Sequence, residues 1–232
     1  MAIANDEHNP DPWEGFNRAM FTFNDQLDQY VIRPLAVGYQ TITPEPVNQS
    51  VTHFFGNLED VLIMTNNFAQ LKFKQGFSDV GRILVNTTVG FFGIFDVASH
   101  IGLRKHNEDF GQTLGYWGVE SGPYLVLPFL GPSTVRDAGG SVLSYGSGLS
   151  FTNVGETLPQ QIGVYGARGV DLRASLLASE DLISGDKYIF FRSFYLQRRD
   201  FLIRDGVLDD PFDDDWDADW DEDWDDSFEG DG

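Results

Sequence analysis

Large apolar side chains recur at alternating spacings of three and four residues near the start of the chain. This spacing places them on one face of a helix. The helix is predicted to begin at Asp11-Pro12-Trp13-Glu14, with Asp11 as the N-cap, Pro12 at the first helical position and Glu14 completing a capping box. Arg33-Pro34 is predicted to end or kink it, because the residue before a proline avoids helical backbone angles. The stripe consists of Trp13, Phe16, Met20, Phe23, Leu27 and Tyr30.

Two more helical regions are predicted before the middle of the chain. The first spans residues 47–70, with a candidate break at Gly56. The second, residues 77–103, is apolar but interrupted by polar residues, so it lacks the roughly 20 clean apolar residues that cross a bilayer. Its glycines predict two helices of about 12 residues, each about 18 Å long, which suit one leaflet of a hydrocarbon core about 30 Å thick. The interrupting residues are Asp79, Arg82, Asp96 and His100.

The second half of the chain predicts a loop and two further helices. Residues 139–155 are rich in glycine and serine and are predicted to form a loop with little regular structure. A helical pattern follows over residues 170–182, and Asp186 is predicted to cap a last helix over residues 187–204. That helix is apolar on more than one face, so either the domain core or lipid must cover it. Because no strand alternation is evident, a mainly helical fold is predicted.

Residues 109–137 alternate glycine, proline and aromatic residues with few polar ones. Glycine loosens the backbone and proline removes a hydrogen-bond donor, so a long helix is excluded and a glycine- and proline-rich loop is predicted. Within it, the apolar run from Tyr124 to Leu130 would be costly to leave in water. The run either packs across its own core or faces an apolar partner.

The same stretch resembles the signature of the VacJ/MlaA lipoproteins of the Gram-negative outer membrane, and the resemblance extends from about Asp11 to Asp205. Several separated motifs occur in the family's order, which argues against a chance match. The ends depart from the family, which begins with a secretory signal and a lipid-modified cysteine. The other matching stretches are DPWEGFNRAMFTFND from Asp11, the pair Arg33-Pro34, FGNLED from Phe55, GFFGIFDVAS from Gly90 and FLIRDG from Phe201.

The resemblance implies a ring-like bundle of amphipathic helices in the periplasmic leaflet of the outer membrane, associated with a trimeric porin. Proteins of this kind remove phospholipid that has strayed into the outer leaflet, through an amphipathic channel, and pass it to a soluble periplasmic carrier. Twenty phenylalanines, five tryptophans and eight tyrosines agree with such a lipid conduit. The alternative is a periplasmic scaffold or lipid-binding protein that does not transport, which would keep its aromatic side chains inside.

Family position, together with polarity in apolar surroundings, also selects candidate site residues. A charged headgroup that passes hydrocarbon needs polar groups along its route, because an unpaired buried charge is costly. The residues predicted to line or gate the channel are Asn17, Met20, Phe21, Phe23, Asn24, Gly115, Tyr116 and Gly118. The residues predicted to contact the porin or the membrane, as an aromatic and aliphatic anchor, are Tyr124, Leu125, Leu127, Phe129 and Leu130.

The motifs disfavour an enzyme. No serine occupies a G-x-S-x-G sequence, and His8, His53, His100 and His106 form no H-E-x-x-H pair. His100 and His106 flank Arg104-Lys105, whose positive charge opposes a bound cation, so both histidines are expected at the surface. Without cysteine the chain has neither disulfides nor thiolate metal ligands. We therefore expect no catalytic residue, no metal and no cofactor.

The formal net charge of −21 is concentrated at the C-terminus. Fourteen of the 36 acidic residues lie after Leu208, so residues 1–208 carry 22 acids against 15 bases, a charge of −7. The body of the protein is therefore only mildly acidic. It has no basic stripe that could replace phosphate counterions, which disfavours nucleic-acid binding.

These patterns divide the chain into three parts. Residues 1–10 are expected to be a linker that follows a lipidated cysteine upstream of Met1, because MAIANDEHNP has no basic region before an apolar stretch and is not a signal peptide. Residues 11–206 form the family domain, and residues 207–232 form an acidic tail predicted to be disordered. Ordering of the tail on a basic surface, such as a carrier protein or the arginines of the last helix, is the alternative, because its aromatic residues recur every four positions. They are Phe212, Trp216, Trp220, Trp224 and Phe228.

Overall fold

The computed structural model describes residues 10–150, 154–182 and 185–207. This part of the chain is mainly helical, which confirms the predicted fold class. A π-helical segment (Asp28–Ile32) joins the first two helices, a 3₁₀ segment (Leu177–Leu182) follows the eighth, and strands β1 (Tyr124–Leu127) and β2 (Gly131–Thr134) form a hairpin. The α-helices are α1 (Glu14–Leu27), α2 (Arg33–Ile42), α3 (Glu45–Ala69), α4 (Phe73–Thr88), α5 (Val97–His100), α6 (Phe110–Tyr116), α7 (Val135–Gly146), α8 (Leu158–Leu176) and α9 (Lys187–Ile203).

Helix α1 begins at Glu14, so the predicted N-cap at Asp11 is wrong. Asp11 is buried, and its carboxylate accepts a hydrogen bond from Asn17 Nδ2 at 2.8 Å and pairs with Arg192 Nη1 at 2.8 Å. Glu14 pairs with Arg18 one turn along the helix and does not close a capping box. Because a cation of α9 attracts the Asp11 carboxylate, this side chain ties the start of the domain to the last helix.

The helical rod continues past the proline that was expected to end or kink it. Pro34 occupies the first turn of α2, a position that tolerates proline, and the π-helical segment directly precedes this turn. Helix α3 is likewise unbroken at Gly56. The Gly56 carbonyl accepts a hydrogen bond from Lys105 Nζ at 2.7 Å, and an added Cβ would lie 3.3 Å from that nitrogen. Glycine at this position therefore leaves room for the lysine.

The apolar region after α3 forms one long and one short helix, so the prediction of two helices of about 12 residues is wrong. Helix α4 has 16 residues, about 24 Å at 1.5 Å per residue, and α5 has only four. Between them Phe91, Phe92 and Gly93 all adopt left-handed backbone angles, with φ of 55°, 59° and 87°. Of the described helices, none is both long and apolar enough to cross a membrane.

The hairpin was missed by the sequence pattern, which predicted no strands. Tyr124 pairs with Thr134 and Leu127 with Gly131 in antiparallel register. Each strand has only four residues, and Pro132 in β2 cannot donate to a ladder. Alternation over so few positions cannot be told from an irregular apolar run. The glycine- and proline-rich stretch therefore contains regular structure where a loop was predicted.

The predicted loop over residues 139–155 is also wrong in its first half, because α7 extends to Gly146. Thr134 caps this helix by accepting a hydrogen bond from the Asp137 N–H at 3.2 Å. Glycine is required inside α7 because α6 packs closely against it: a Cβ on Gly140 would lie 2.4 Å from the Gly111 nitrogen. The glycines that suggested a loop thus permit close helix packing.

The last two helices were predicted with unequal accuracy. Helix α8 starts at Leu158, well before the predicted start at residue 170, because Thr157 and Gln160 form a capping box among polar residues. Helix α9 begins as predicted, with Asp186 accepting hydrogen bonds from the first backbone N–H groups. Residues 1–9 and the acidic tail after Val207 lie outside the described residues. The expectations about the linker and the tail stay predictions.

Candidate functional site

The described residues show an inverted distribution of polar and apolar side chains. Eight hydrophobic residues are buried in this part of the chain, against 20 polar or charged ones. At the same time, 38 large hydrophobic side chains are exposed. Water-soluble domains show the opposite preference, and extensive apolar surface marks contact with lipid or with another protein. The surface of this protein therefore suits an apolar environment.

Contacts between elements join the chain into a closed circuit. Helix α1 packs on β1, the paired strand β2 packs on α7 and α9, and α9 packs on α6. From there α6 packs on α3, α3 packs on α8, and α8 packs on both α2 and the π-helical segment, which returns to α1. Polar side chains lie at several of these contacts between elements, which are called joints here.

At the joint between α1 and the hairpin, an asparagine amide binds the backbone of β1. Asn17 Nδ2 donates to the Tyr124 carbonyl at 3.0 Å, and Asn17 Oδ1 accepts from the Val126 N–H at 2.8 Å. The Tyr124 N–H donates to the Pro10 carbonyl at 2.8 Å. Asn17 is fully buried. Its side-chain amide therefore makes, inside the fold, the two hydrogen bonds that a backbone amide of a neighbouring strand would make.

Asn24, two helical turns farther along α1, makes the same pair of amide contacts where β1 passes into the hairpin turn. Its Nδ2 donates to the Leu127 carbonyl at 2.9 Å, and its Oδ1 accepts from the Phe129 N–H at 2.8 Å. Beside it, Phe23 packs edge-on against Phe129, with ring centroids 5.3 Å apart. Both asparagines were predicted as channel residues, but in the structure their amides hold the hairpin.

At the joint between α9 and α6, Arg199 binds two carboxylates. Its guanidinium lies 2.6 Å from Asp109 Oδ2 and 2.7 Å from Asp137 Oδ1, and Tyr195 donates to Asp137 Oδ2 at 2.7 Å. Burial alone would lower the pKa of Arg199, but the carboxylates raise it above its ordinary value. Burial of Asp109 is likewise outweighed by Arg199, so the pKa of Asp109 lies below its ordinary value. A small cavity of about 140 Å³ beside these groups has mainly polar lining.

The joint between α3 and α6 has a polar interior. Gln70 Nε2 donates to Glu108 Oε2 at 2.8 Å and to Thr113 Oγ1 at 3.0 Å. Thr113 in turn donates to Asn66 Oδ1 at 2.7 Å, and all four of these residues are buried. Lys72 Nζ reaches Glu108 Oε1 at 3.0 Å from the edge of the joint. Hydrogen bonds and charge thus connect the two helices.

Two bidentate salt bridges fix α8 in the circuit. Arg168 binds both carboxylate oxygens of Glu59 on α3, at 2.9 and 3.1 Å. Arg173 binds both oxygens of Asp28 in the π-helical segment, at 2.7 and 2.9 Å. Bidentate arginine–carboxylate pairs fix orientation as well as distance, so α8 is clamped between α3 and the rod formed by α1 and α2.

Inside the bundle of α3, α4 and α5, an ion cluster takes the place of an apolar core. Arg82 is 2% exposed, and its Nε and Nη2 each lie 3.2 Å from a carboxylate oxygen, of Asp60 and Asp96 respectively. Lys105 Nζ lies 2.6 Å from the second Asp60 oxygen. Burial would raise the pKa of Asp96, but its hydrogen bonds and the charge of Arg82 hold it well below its ordinary value. In the sequence, Arg82 and Asp96 were recognised as interruptions of an apolar stretch, and their pairing was not predicted.

The predicted channel residues lie at two different joints. Met20 and Phe21 pack against the buried cluster of Tyr124, Val126 and Tyr188, close to the asparagines of α1. The others, Gly115, Tyr116 and Gly118, lie on α6 or directly after it, and α6 packs on α3, α7 and α9.

The predicted contact residues of the hairpin differ in exposure. Tyr124 is fully buried and therefore faces the protein interior. Leu125 and Leu127 are half-buried. Phe129 and Leu130 at the turn are 66% and 44% exposed, so the hairpin tip is the part of this segment that can contact another molecule.

The histidines have unequal surroundings. His100 is exposed, as expected, but His106 is half-buried, with Nδ1 2.6 Å from Asp79 Oδ1. The neighbouring carboxylate draws His106 inward, so the expectation of a surface role holds for His100 and is wrong for His106. Within the described ranges, no group of three or more histidine or acidic side chains could hold a metal ion.

Comparison with known proteins identifies the family. The family profile described as MlaA lipoprotein matches residues 9–202. The chain belongs to the MlaA lipoprotein family. An MlaA protein of Escherichia coli (strain K12), the intermembrane phospholipid transport system lipoprotein MlaA, is 40% identical over 205 residues, which cover 85% of this chain and 80% of that protein. The Haemophilus influenzae MlaA lipoprotein of the same name is 35% identical over 204 residues, covering 85% and 81%.

A solved structure supports the MlaA family at the level of the fold. It was described as the structural basis for maintenance of bacterial outer membrane lipid asymmetry. It matches this chain with a TM-score of 0.73 and 37% sequence identity, covering 83% of this chain and 98% of that chain. The resemblance to VacJ/MlaA lipoproteins that the sequence motifs indicated is thereby confirmed.

Proposed function

We propose that this chain is an outer-membrane protein that removes phospholipid from the outer leaflet, without cleaving it, and passes it to a periplasmic carrier. The observation that carries this proposal is the inverted distribution of side chains. In the described part of the chain, 38 large hydrophobic side chains are exposed, while polar side chains are buried where the helices meet. Lipid tails can cover such a surface, and buried polar side chains such as Asn17 and Arg82 bind partners inside the protein. Membership of a family whose named relatives belong to an intermembrane phospholipid transport system supports the same function.

The protein resides, on this proposal, in the periplasmic leaflet. Helix α4 is about 24 Å long, shorter than a hydrocarbon core of about 30 Å. The turn after it exposes Phe91, Phe92 and Phe95, which suit insertion among acyl chains. A lipid-modified cysteine upstream of Met1 would add a second membrane anchor, and stable attachment commonly needs two.

The closed circuit of contacts supports a ring of helices around a route for lipid. Among the predicted channel residues, Phe23, Tyr116 and Gly118 are exposed and keep a proposed role at its wall. Met20, Phe21, Asn24 and Gly115 are half-buried neighbours of that wall, and Asn17 lies behind it. A headgroup would follow polar atoms while the acyl chains follow the aromatic side chains.

The hairpin tip is the proposed contact with a trimeric porin. Phe129 and Leu130 supply exposed apolar anchors of the kind that interfaces use. Crosslinking from position 129 in intact membranes is expected to label the porin. Labelling of lipid alone would count against this partner and would leave the tip as a membrane contact.

The function is tested in a Gram-negative strain that lacks its own MlaA protein. Outer-leaflet phosphatidylethanolamine is measured with an amine reagent that does not cross the membrane. We expect the full precursor to lower the labelled fraction, and Arg173→Met, which opens the clamp on α8, to lower it much less. The exposed Arg104→Met is the matched control and should act as the unmodified chain does.

Two outcomes would contradict the proposal. A correctly located chain that leaves the labelled fraction high would show a scaffold or a lipid-binding protein that does not transport. Release of fatty acid or diacylglycerol by the purified chain would show that it cleaves its lipid.

A further inference from the structure

We propose that the side-chain amides of Asn17 and Asn24, called together the amide edge, fix the position of the hairpin, with Asn17 bound to the edge of β1 and Asn24 bound to the turn that follows it. On this inference Asn24 is a positioning residue for the hairpin tip and does not itself contact lipid. The structural part, that the two amides hold the hairpin, does not depend on the proposed function. The functional part, that Asn24 affects lipid transfer by placing the tip, rests on the proposed function.

The spacing of the two asparagines matches the spacing of a strand. Seven residues along a helix span about 10.5 Å at 1.5 Å per residue. The bonded backbone groups shift by three residues, from Tyr124 and Val126 to Leu127 and Phe129. Three strand residues span about 10 Å at roughly 3.3 Å each. The two distances agree, so Asn17 can bind the edge of β1 while Asn24 binds the last strand carbonyl and the N–H of Phe129 in the turn that follows.

The amide edge supplies a partner that the hairpin otherwise lacks. Strand β1 pairs with β2 on one side, and a two-stranded hairpin alone is marginally stable. Its other side would present unpaired N–H and C=O groups, which are costly where no water reaches them. Asn17 and Asn24 of α1 pair four backbone groups there: the carbonyls of Tyr124 and Leu127 and the N–H groups of Val126 and Phe129. Helix α1 thus supplies hydrogen-bond partners to the free edge of β1 and to the turn that follows it.

The two ends of the amide edge differ in their surroundings. Asn17 is fully buried and also donates to Asp11, which pairs with Arg192 on α9. Asn24 is half-buried and lies beside the exposed pair of Phe23 and Phe129. The inner end therefore fixes the hairpin to the domain, and the outer end places its tip.

Hydrogen exchange in the full chain, in detergent micelles, tests the structural part. Asn24→Asp keeps an acceptor for the Phe129 N–H, whereas Asn24→Leu has a similar size but keeps neither bond. We expect the protection factor of the Phe129 amide to fall about tenfold in Asn24→Leu and less in Asn24→Asp. The Val126 amide, held by Asn17, should keep its protection in both. Unchanged protection of Phe129 in Asn24→Leu would overturn the amide edge.

The exposed Gln26 of α1 provides the matched control, and Gln26→Leu should leave both amides as protected as in the unmodified chain. A fall in protection at Phe129 in this variant as well would mean that any change in α1 loosens the tip. That result would also overturn the specific role of Asn24.

The order of lipid transfer among the variants tests the functional part. A positioning role predicts transfer by the unmodified chain above Asn24→Asp, and Asn24→Asp above Asn24→Leu. A side chain that touched lipid would instead place Asn24→Leu above Asn24→Asp, because leucine suits acyl chains and a carboxylate repels phosphate. That is the reverse order of the two variants. The reverse order, or equal transfer despite lost protection, would overturn the functional part. If the unmodified chain transferred no lipid, the proposed function would fail, and hydrogen exchange would still decide whether the amide edge exists.

Discussion

In the bundle of α3, α4 and α5, the centre is occupied by Arg82 and its carboxylates, and phenylalanines lie outside. In the hairpin region, formed by α1, the two strands and α9, the centre is the cluster of Tyr124, Val126 and Tyr188. The hairpin region thus has an apolar cluster with buried Asp11 and Asn17 beside it, whereas the bundle has charged side chains at its centre. The difference shows what determines the packing of an interior when the surroundings of the protein are also apolar. Burial of apolar side chains then gives little preference, and hydrogen bonds and ion pairs, which depend on direction, determine the packing instead.

The largest effect is expected from breaking the ion cluster. Arg82→Gln leaves Asp60 and Asp96 without their buried cation, and such losses cost about 3–5 kcal/mol. Chemical unfolding of the full chain in detergent micelles would measure the loss. The exposed Arg104→Gln should change the unfolding free energy by less than about 0.5 kcal/mol. A cost below about 1 kcal/mol for Arg82→Gln would mean that the bundle does not depend on its ions.

Alkaline pH should weaken the hairpin region through its buried tyrosine. Burial raises the pKa of Tyr124 to about 12, against about 10 in an unfolded chain. A raised pKa stabilises the fold below pH 10, and this contribution is lost as the pH rises through 12. Between pH 9 and pH 11, Tyr124 should therefore account for a loss of about 1.4 kcal/mol.

Tyr124→Phe isolates that contribution, because phenylalanine does not titrate. Among the described residues the buried Tyr124 hydroxyl has no hydrogen-bond partner, so its removal at pH 7 should be neutral or slightly stabilising. Unfolding measured at pH 9 and at pH 11 should show a smaller loss in the variant than in the unmodified chain. Equal losses in the two proteins would refute the role of this tyrosine.

A smaller effect on stability, and of opposite sign, is expected at the exposed turn of the bundle. Phe91 adopts a left-handed φ of 55°, which costs a bulky residue about 1 kcal/mol and which asparagine tolerates better. Phe91→Asn should therefore raise the unfolding free energy by up to about 1 kcal/mol. Binding to phospholipid vesicles, measured by co-sedimentation, should weaken because an exposed aromatic anchor is lost.

Phe129→Asn makes the corresponding change in the hairpin region. Phe129 has a similar φ of 66°, but it also packs against Phe23. Relief of strain and loss of the aromatic contact should nearly cancel in the unfolding free energy. Stabilisation by Phe129→Asn as large as that by Phe91→Asn would show that the contact with Phe23 contributes little.

Features with local signals could be predicted from the sequence. Asp186 caps α9 through N–H groups two and three residues away, so its role is visible in a short stretch. The ion cluster could not be predicted, because Arg82 meets Asp60 across 22 residues. Asn17 binds the hairpin across 107 residues.

The sequence motifs selected regions that the fold brings together, but they did not predict the contacts of the side chains in those regions. The family motifs selected α1 and the hairpin, which the structure brings into contact. They did not reveal that Asn17 and Asn24 bind backbone, since an asparagine in apolar surroundings suits a channel wall equally well. Gly140 was misinterpreted for a similar reason: its need for glycine comes from Gly111 on another helix.

Because of its exposed hydrophobic side chains, this protein can be folded and still be unable to travel alone through water. In most proteins folding buries the apolar surface that would cause aggregation, so the folded molecule can diffuse through water. Here the finished fold displays 38 large hydrophobic side chains in its described part, and molecules released into water should associate with one another. On the way to a membrane, the apolar surface of this chain therefore needs a cover until lipid takes its place.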